Sequence, residues 1–182
     1  MPGTDSTMAR LLLSGEALSD GDFRRVYDFL NLESDCLGLG EYETWYGLLS
    51  PAVTYKVLAP AFLDATRPRR YGRENAYFDD DYASLGIRVK QLTTPGFTIA
   101  ENPATISRHF VTNIRGVANG EGIEVVSNVL VVRVRSTEPE PGVVSARRFD
   151  RLVETPEGLR IESRLAQLDQ VSLQQLNLSF FI

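Results

Sequence analysis

The sequence predicts an α+β domain, with three N-terminal helices packed on one face of a curved antiparallel sheet. Helical stripes are confined to the first half of the chain. The second half carries four long strand signals separated by short turns. Helices first and sheet second is the order of an α+β domain. A length of 182 residues, with 43% hydrophobic and 24% charged, fits one globular domain. A chain of this size buries roughly 70% of its unfolded surface and needs no disulfide or metal to hold a core.

Residues 1–18 read as an N-terminal arm, and residues 19–182 as a single domain. The arm is rich in Gly, Ser, Thr and Asp and sustains no period. Ser19 and Asp20 are good caps, and Asp20 and Asp22 suit the positive end of a helix dipole. Phe23, Val26, Tyr27, Leu30 and Leu37 then follow a helical stripe. Gly38 and Gly40 stop it. A shorter helix is expected over 41–49, with Trp45, Leu48 and Leu49 inward and Pro51 ending the segment. A strand is expected over 53–59. Residues 60–75, with two prolines and four arginines, read as an exposed loop. Asp79, Asp80 and Asp81 are expected to open a third helix, with Tyr82, Leu85, Val89 and Leu92 as its apolar stripe and Pro95-Gly96 closing it.

Strands are expected over 107–117, 123–136, 143–153 and 159–168. The turns Asn119-Gly120-Glu121-Gly122, Pro139-Glu140-Pro141-Gly142 and Pro156-Glu157-Gly158 separate them. Successive strands joined so briefly lie antiparallel. The run Val125 to Val134 is apolar on both faces, so its second face needs a cover, either inside a cone or from another subunit. Residues 176–182, ending Phe180-Phe181-Ile182, are also too apolar for a free tail. The expectation is a closed ring of copies in which Val129, Val131 and Arg133 meet across the contact, rimmed by arginines 133, 135, 147, 148 and 151.

Counting excludes several function classes. The net charge is −5, from 19 basic and 24 acidic residues, which gives no field for a nucleic acid. The longest apolar runs fall far short of the roughly 20 residues of a membrane span. One cysteine, Cys36, and one histidine, His109, cannot assemble a zinc site, a Rieske cluster or a 2-His-1-carboxylate iron site. A lone cysteine and no export signal point to the cytoplasm.

His109 is the first candidate for chemistry. On a cavity-facing strand it would act as a general base beside Tyr42, Tyr55 or an Asp. The alternative is a hydrogen-bonded structural histidine. Asp79-Asp80-Asp81 splay around a helix start and do not converge on one ion, so capping explains them better. Cys36, without a basic neighbour, reads as a buried inert thiol. Gly38-Leu39-Gly40 follows a helix and lacks a third glycine, so it is no dinucleotide loop. The arginine-rich stretch 67–73 reads as a protein contact or a solvated loop.

Several blocks resemble the small (β) subunit of bacterial aromatic-ring-hydroxylating dioxygenases. They are Trp45-Tyr46-Gly47-Leu48-Leu49 with Val53-Thr54-Tyr55; Tyr77-Phe78-Asp79-Asp80-Asp81; Ala100-Glu101-Asn102-Pro103 with 107–113; 126–131; and Leu168-Asp169-Gln170 with 177–181. The resemblance covers 20–182 and departs from the family pattern over 60–72 and 139–142. It implies a cone-like fold of the nuclear-transport-factor-2 type and a non-catalytic scaffolding role. It also implies a large (α) subunit carrying a Rieske [2Fe–2S] cluster and mononuclear Fe(II), which adds dioxygen to an aromatic ring. The assembly it implies is three of each subunit. No catalytic or metal-binding residue of the family then falls on this chain. The rival class is a stand-alone isomerase or dehydratase on the same fold, with a cavity site around His109. A homotrimeric scaffold without a catalytic partner is the third reading.

Overall fold

The computed structural model describes residues 13, 15–60, 76–94, 105–137, 139–170 and 180–182. The elements in chain order are β1 (Glu16–Ala17), α1 (Asp20–Leu39), α2 (Tyr42–Tyr46), β2 (Leu49–Leu58), β3 (Ala76–Asp81), α3 (Tyr82–Thr93), β4 (Ile106–Asn119), β5 (Gly122–Val134), β6 (Gly142–Thr155) and β7 (Gly158–Leu168). The loop expected over 60–75 and the Pro95-Gly96 stop lie largely outside the described residues.

Local chemistry sets the helix ends. The Ser19 side chain accepts a hydrogen bond from the Asp22 amide at 3.1 Å and starts α1. Gly40, at φ 78°, ends it in a left-handed conformation that costs glycine nothing. Between them Val26, Phe29, Leu30, Glu33, Cys36 and Leu37 make the buried stripe. Asp81 caps α3 in a reciprocal box with Ser84. Asp79 and Asp80 belong to β3, not to the helix: Asp79 pairs with Lys56, and Asp80 with Arg88 at 2.7 Å. Alternation through Tyr77-Phe78-Asp79-Asp80 keeps the chain extended until the cap is reached. The second helix is shorter than expected, because the chain from Leu49 onward pairs with β7. At the junction of α2 and α3 a side chain at Gly86 would stand 2.8 Å from the Tyr46 hydroxyl. Glycine there lets Tyr46 stack on Tyr82 at 4.3 Å and donate to its carbonyl.

Seven described strands form one sheet in the order β1-β4-β5-β6-β7-β2-β3. The hairpins β4–β5, β5–β6 and β6–β7 are antiparallel, as their turns require. The β2–β7 pair is parallel, since β2 arrives from the helical half and adds to the far side of the last strand. A register shift between Thr112 and Arg115, with Asn113 at φ 54°, breaks the ladder in β4. Such bulges bend a strand, and the sheet curves. The helices lie on its concave side, and the core fills the space between.

Alternation resolves most of the two-faced strand, although Val126, at the convex parity, is buried as well. In β5 the residues Val125, Ser127, Val129, Val131 and Arg133 are buried in the concave side, whereas Leu130 and Val134 are exposed on the convex side. The self-contact expected at Val129, Val131 and Arg133 is therefore corrected: these residues are buried inside the chain itself. Arg133 and Arg148, expected at a subunit rim, are interior as well. Because the side-chain period is two, an error of one residue exchanges the whole face. Phe180, Phe181 and Ile182 are buried, as expected of so apolar a segment, and the cover is the chain's own interior, not a second copy.

Candidate functional site

Four charged side chains meet in the interior. Glu33 occupies a stripe position of α1, Arg148 and Asp150 take inward positions of β6, and Arg164 faces Asp150 across the β6–β7 ladder. Arg164 donates to Asp150 through Nε at 2.8 Å and Nη2 at 2.9 Å. Its Nη2 also donates to Glu33 Oε2 at 3.0 Å, and its Nη1 to Glu33 Oε1. Arg148 Nη1 donates to Glu33 Oε2 at 3.1 Å, and Trp45 Nε1 to Oε1 at 3.2 Å. Two acids balance two bases, the condition under which charges tolerate burial. Burial by itself would raise the Glu33 carboxyl, but the Arg164 and Arg148 charges outweigh it and hold the group at about 2. Burial likewise opposes the charge on Arg164, yet Asp150 and Glu33 raise it well above the usual guanidinium value.

The segment Phe180–Ile182 lies above this cluster. The Phe181 ring stacks on Trp45 at 4.1 Å, and Tyr42 and Tyr55 meet it edge-on. The Tyr55 hydroxyl donates to the Ile182 carbonyl and accepts from the Ile182 amide, both at 2.7 Å. Arg164 Nη1 donates to the same carbonyl at 3.1 Å.

His109 stands on the concave side of β4, opposite Val131. Its Nε2 is 3.0 Å from the Phe181 carbonyl oxygen, so that nitrogen carries the hydrogen. Its Nδ1 is buried and has no hydrogen-bond partner among the described residues. Burial pulls this imidazole below its ordinary range, against the opposing pull of the Phe181 carbonyl and Glu33. Neither tyrosine suggested as its acid–base partner hydrogen-bonds to it; Tyr55 is engaged with Ile182 instead. Cys36 is buried, and burial, followed by Glu33, Asp35 and Glu41, pushes its thiol up, away from the reactive thiolate. Among the described residues no group of His, Cys, Asp and Glu converges as a metal site.

The convex side has a different character. Phe110 faces Leu130, Ile106 faces Val134 and Val132 faces Val143 across the strand pairs. Ile106 is 64% exposed, Phe110 and Val143 50%, Val134 48% and Leu130 39%. Beside them lies a cleft of about 350 Å³ lined by Thr112, Asn128, Leu130, Ser145, Arg147 and Asp169. Ser145 donates to Asp169 there at 2.7 Å.

Sequence reasoning missed the interior cluster, although a signal was present. Glu33 interrupts the stripe of α1 three residues after Leu30. Arg148 and Asp150 sit at the same alternation parity as Val144, Ala146 and Leu152. A charge on an apolar parity is the mark of a buried pair.

A curved sheet with helices on its concave side, an interior closed by its own charged and aromatic residues, and an apolar convex face define a cone-shaped α+β protein. Residues 33–175 match the family model described as ring hydroxylating beta subunit. The chain belongs to that family. It is 29% identical over 166 residues to the benzene 1,2-dioxygenase subunit beta of Pseudomonas putida, covering 86% of each chain. It is 31% identical over 168 residues to the chlorobenzene dioxygenase subunit beta of Cupriavidus sp. strain PS12, again covering 86% of each. Its fold is similar to a chain of naphthalene 1,2-dioxygenase, with a TM-score of 0.79 over 98% of this chain and all of that one, at 20% identity.

Proposed function

We propose that this chain is the non-catalytic small subunit that scaffolds a multicomponent aromatic-ring-hydroxylating dioxygenase in the cytoplasm. The observation that carries this reading is the asymmetry of the sheet. The concave side is filled by the protein's own residues, while the convex side presents Ile106, Phe110, Leu130, Val134 and Val143 to the outside. Exposed apolar patches of this kind mark protein contacts. The cleft at Ser145, Arg147 and Asp169 adds directional polar groups to the same face.

The partner is a large (α) subunit, and the Rieske [2Fe–2S] cluster and mononuclear Fe(II) belong to it. The residues of this chain fit neither group. A Rieske cluster takes two Cys and two His, whereas the single thiol here is buried and the single imidazole is held by the Phe181 carbonyl. Oxygen chemistry therefore falls to the partner, and this chain supplies the surface on which the partner is arrayed. Three copies meet through the convex faces in a closed ring, which hides those faces, and three large subunits complete the complex.

Coexpression with a large subunit of a ring-hydroxylating dioxygenase, followed by native mass and iron measurements, tests the reading. A complex of three large and three small chains, with all iron retained by the large chain, is expected. Separate elution of the two chains overturns it.

A further inference from the structure

Two unmatched surfaces flank the exposed apolar cluster of the convex face. The first is the cleft of about 350 Å³, where Leu130 forms one wall and Thr112, Asn128 and Arg147 supply polar groups. Arg147 Nε is buried without a hydrogen-bond partner among the described residues, and no described acid pairs with the guanidinium. The cleft's own acid, Asp169, accepts the Ser145 hydroxyl at 2.7 Å instead. A buried donor left without a partner costs stability unless something else meets it.

The second surface is the C-terminal end of α1. Ser107 Oγ reaches the Leu37 carbonyl at 3.4 Å, and Arg108 Nη1 would stand 3.8 Å from a side chain at Gly38. Ser107 and Arg108 have opposite parities, so a helix end that both reach lies at the margin of the sheet. Leu39 projects there, 69% exposed, more than any other large hydrophobic residue described. Asp35 and Glu41 flank it and are exposed. Neither acid has an ion-pair partner among the described residues, Arg108 included. The last turn of α1 holds no basic residue. Acids beside the negative end of a helix dipole are unfavourable until a cation arrives.

We propose that this helix end docks in the cleft of a second copy, with Leu39 against Leu130 and the acids Asp35 and Glu41 facing Arg147. The inference rests on the ring proposed above. A closed ring of three has no two-fold axis, so contacts away from its centre join two different surfaces. The two surfaces flank the cluster that the ring hides, and each supplies what the other lacks: acid and an apolar side chain on one, a cation and a cleft on the other. Enclosed by the neighbour, guanidinium and carboxylate form a charge-assisted bond shielded from water.

Sedimentation equilibrium of the full-length chain tests it, with circular dichroism as the check on folding. Arg147→Glu is expected to weaken self-association by more than about tenfold. Adding Asp35→Arg and Glu41→Arg to the same chain is expected to restore it. Leu39→Gln, at a position too exposed to disturb the fold, is expected to weaken association as well, and it decides alone if Arg147→Glu does not fold. Association of either single variant at the wild-type strength overturns the contact and leaves the ring standing. Failure of the reversed acids to restore association does the same. If Arg147→Glu forms rings but no longer retains a coexpressed large subunit, the cleft belongs to that subunit and the proposal falls. A folded wild-type chain that stays monomeric overturns the ring and this contact together.

Discussion

Glu33 of α1 and Arg164 of β7 form a two-pronged ion pair inside the cone, although 131 residues separate them in the chain. The pair ties the helical layer to the far half of the sheet. Asp150 and Arg148 complete it, so each charge has its counter-charge within the same dry space.

Glu33→Gln should therefore destabilise the fold strongly. The substitution leaves two guanidinium groups with one carboxylate in the interior. Breaking one partner out of a buried pair costs about 3–5 kcal/mol. Urea unfolding followed by far-UV circular dichroism measures it. A loss below about 1 kcal/mol, the range of exposed pairs, would mean that water reaches the cluster.

Stability should fall in two steps as the solution is acidified. His109 is held below its ordinary value of 6.5 by burial, so the folded state resists its protonation. That cost begins as the pH drops through 6.5, where the unfolded chain takes up the proton first. Glu33 has a folded value of about 2 against an ordinary 4.5. Its contribution is complete above 4.5 and is lost as the pH falls from there toward 2, by about 3 kcal/mol in all. His109→Gln retains a donor for the Phe181 carbonyl and should remove the upper step alone. Denaturant midpoints between pH 7 and pH 3 would show whether the two steps separate.

Val131→Asp and Leu130→Asp should behave oppositely despite being neighbours. Val131 is fully buried on the concave side, and an unpaired carboxylate there should prevent folding. Leu130 points outward opposite Phe110. Leu130→Asp should leave a folded chain and break the proposed ring, because like charges would be buried near one axis. Circular dichroism and sedimentation velocity separate the outcomes. A Leu130→Asp chain that sediments as the wild type does would place the self-contact elsewhere.

The isolated chain should be colourless and hold no stoichiometric iron after a chelator wash. Its only Cys and only His stand on different elements, and neither is free to ligate. Elemental analysis decides this, and one retained iron per chain would contradict the assignment of the metal centres to the large subunit.

Features that depend on neighbours along the chain were legible in the residues alone. Ser19 and Gly40 bound α1 because a cap and a left-handed glycine act within one turn. The turns at 119–122 and 156–158 set antiparallel pairs because a short connection leaves no other geometry. The single Cys and single His excluded a Cys/His zinc site, a Rieske cluster and a 2-His-1-carboxylate iron site by count alone. Tertiary structure decided the rest. From Val125 to Val134 the apolar residues occupy both parities, so alternation carried no information about which face is inward. The packing of α1 against β4 chose it. The parallel entry of β2 beside β7, the burial of Phe180–Ile182 and the convergence of Glu33, Arg148, Asp150 and Arg164 join segments up to 131 residues apart. Such contacts leave no periodic trace. They form because the interior must balance its charges and exclude water, and only the assembled space sets which groups can do so.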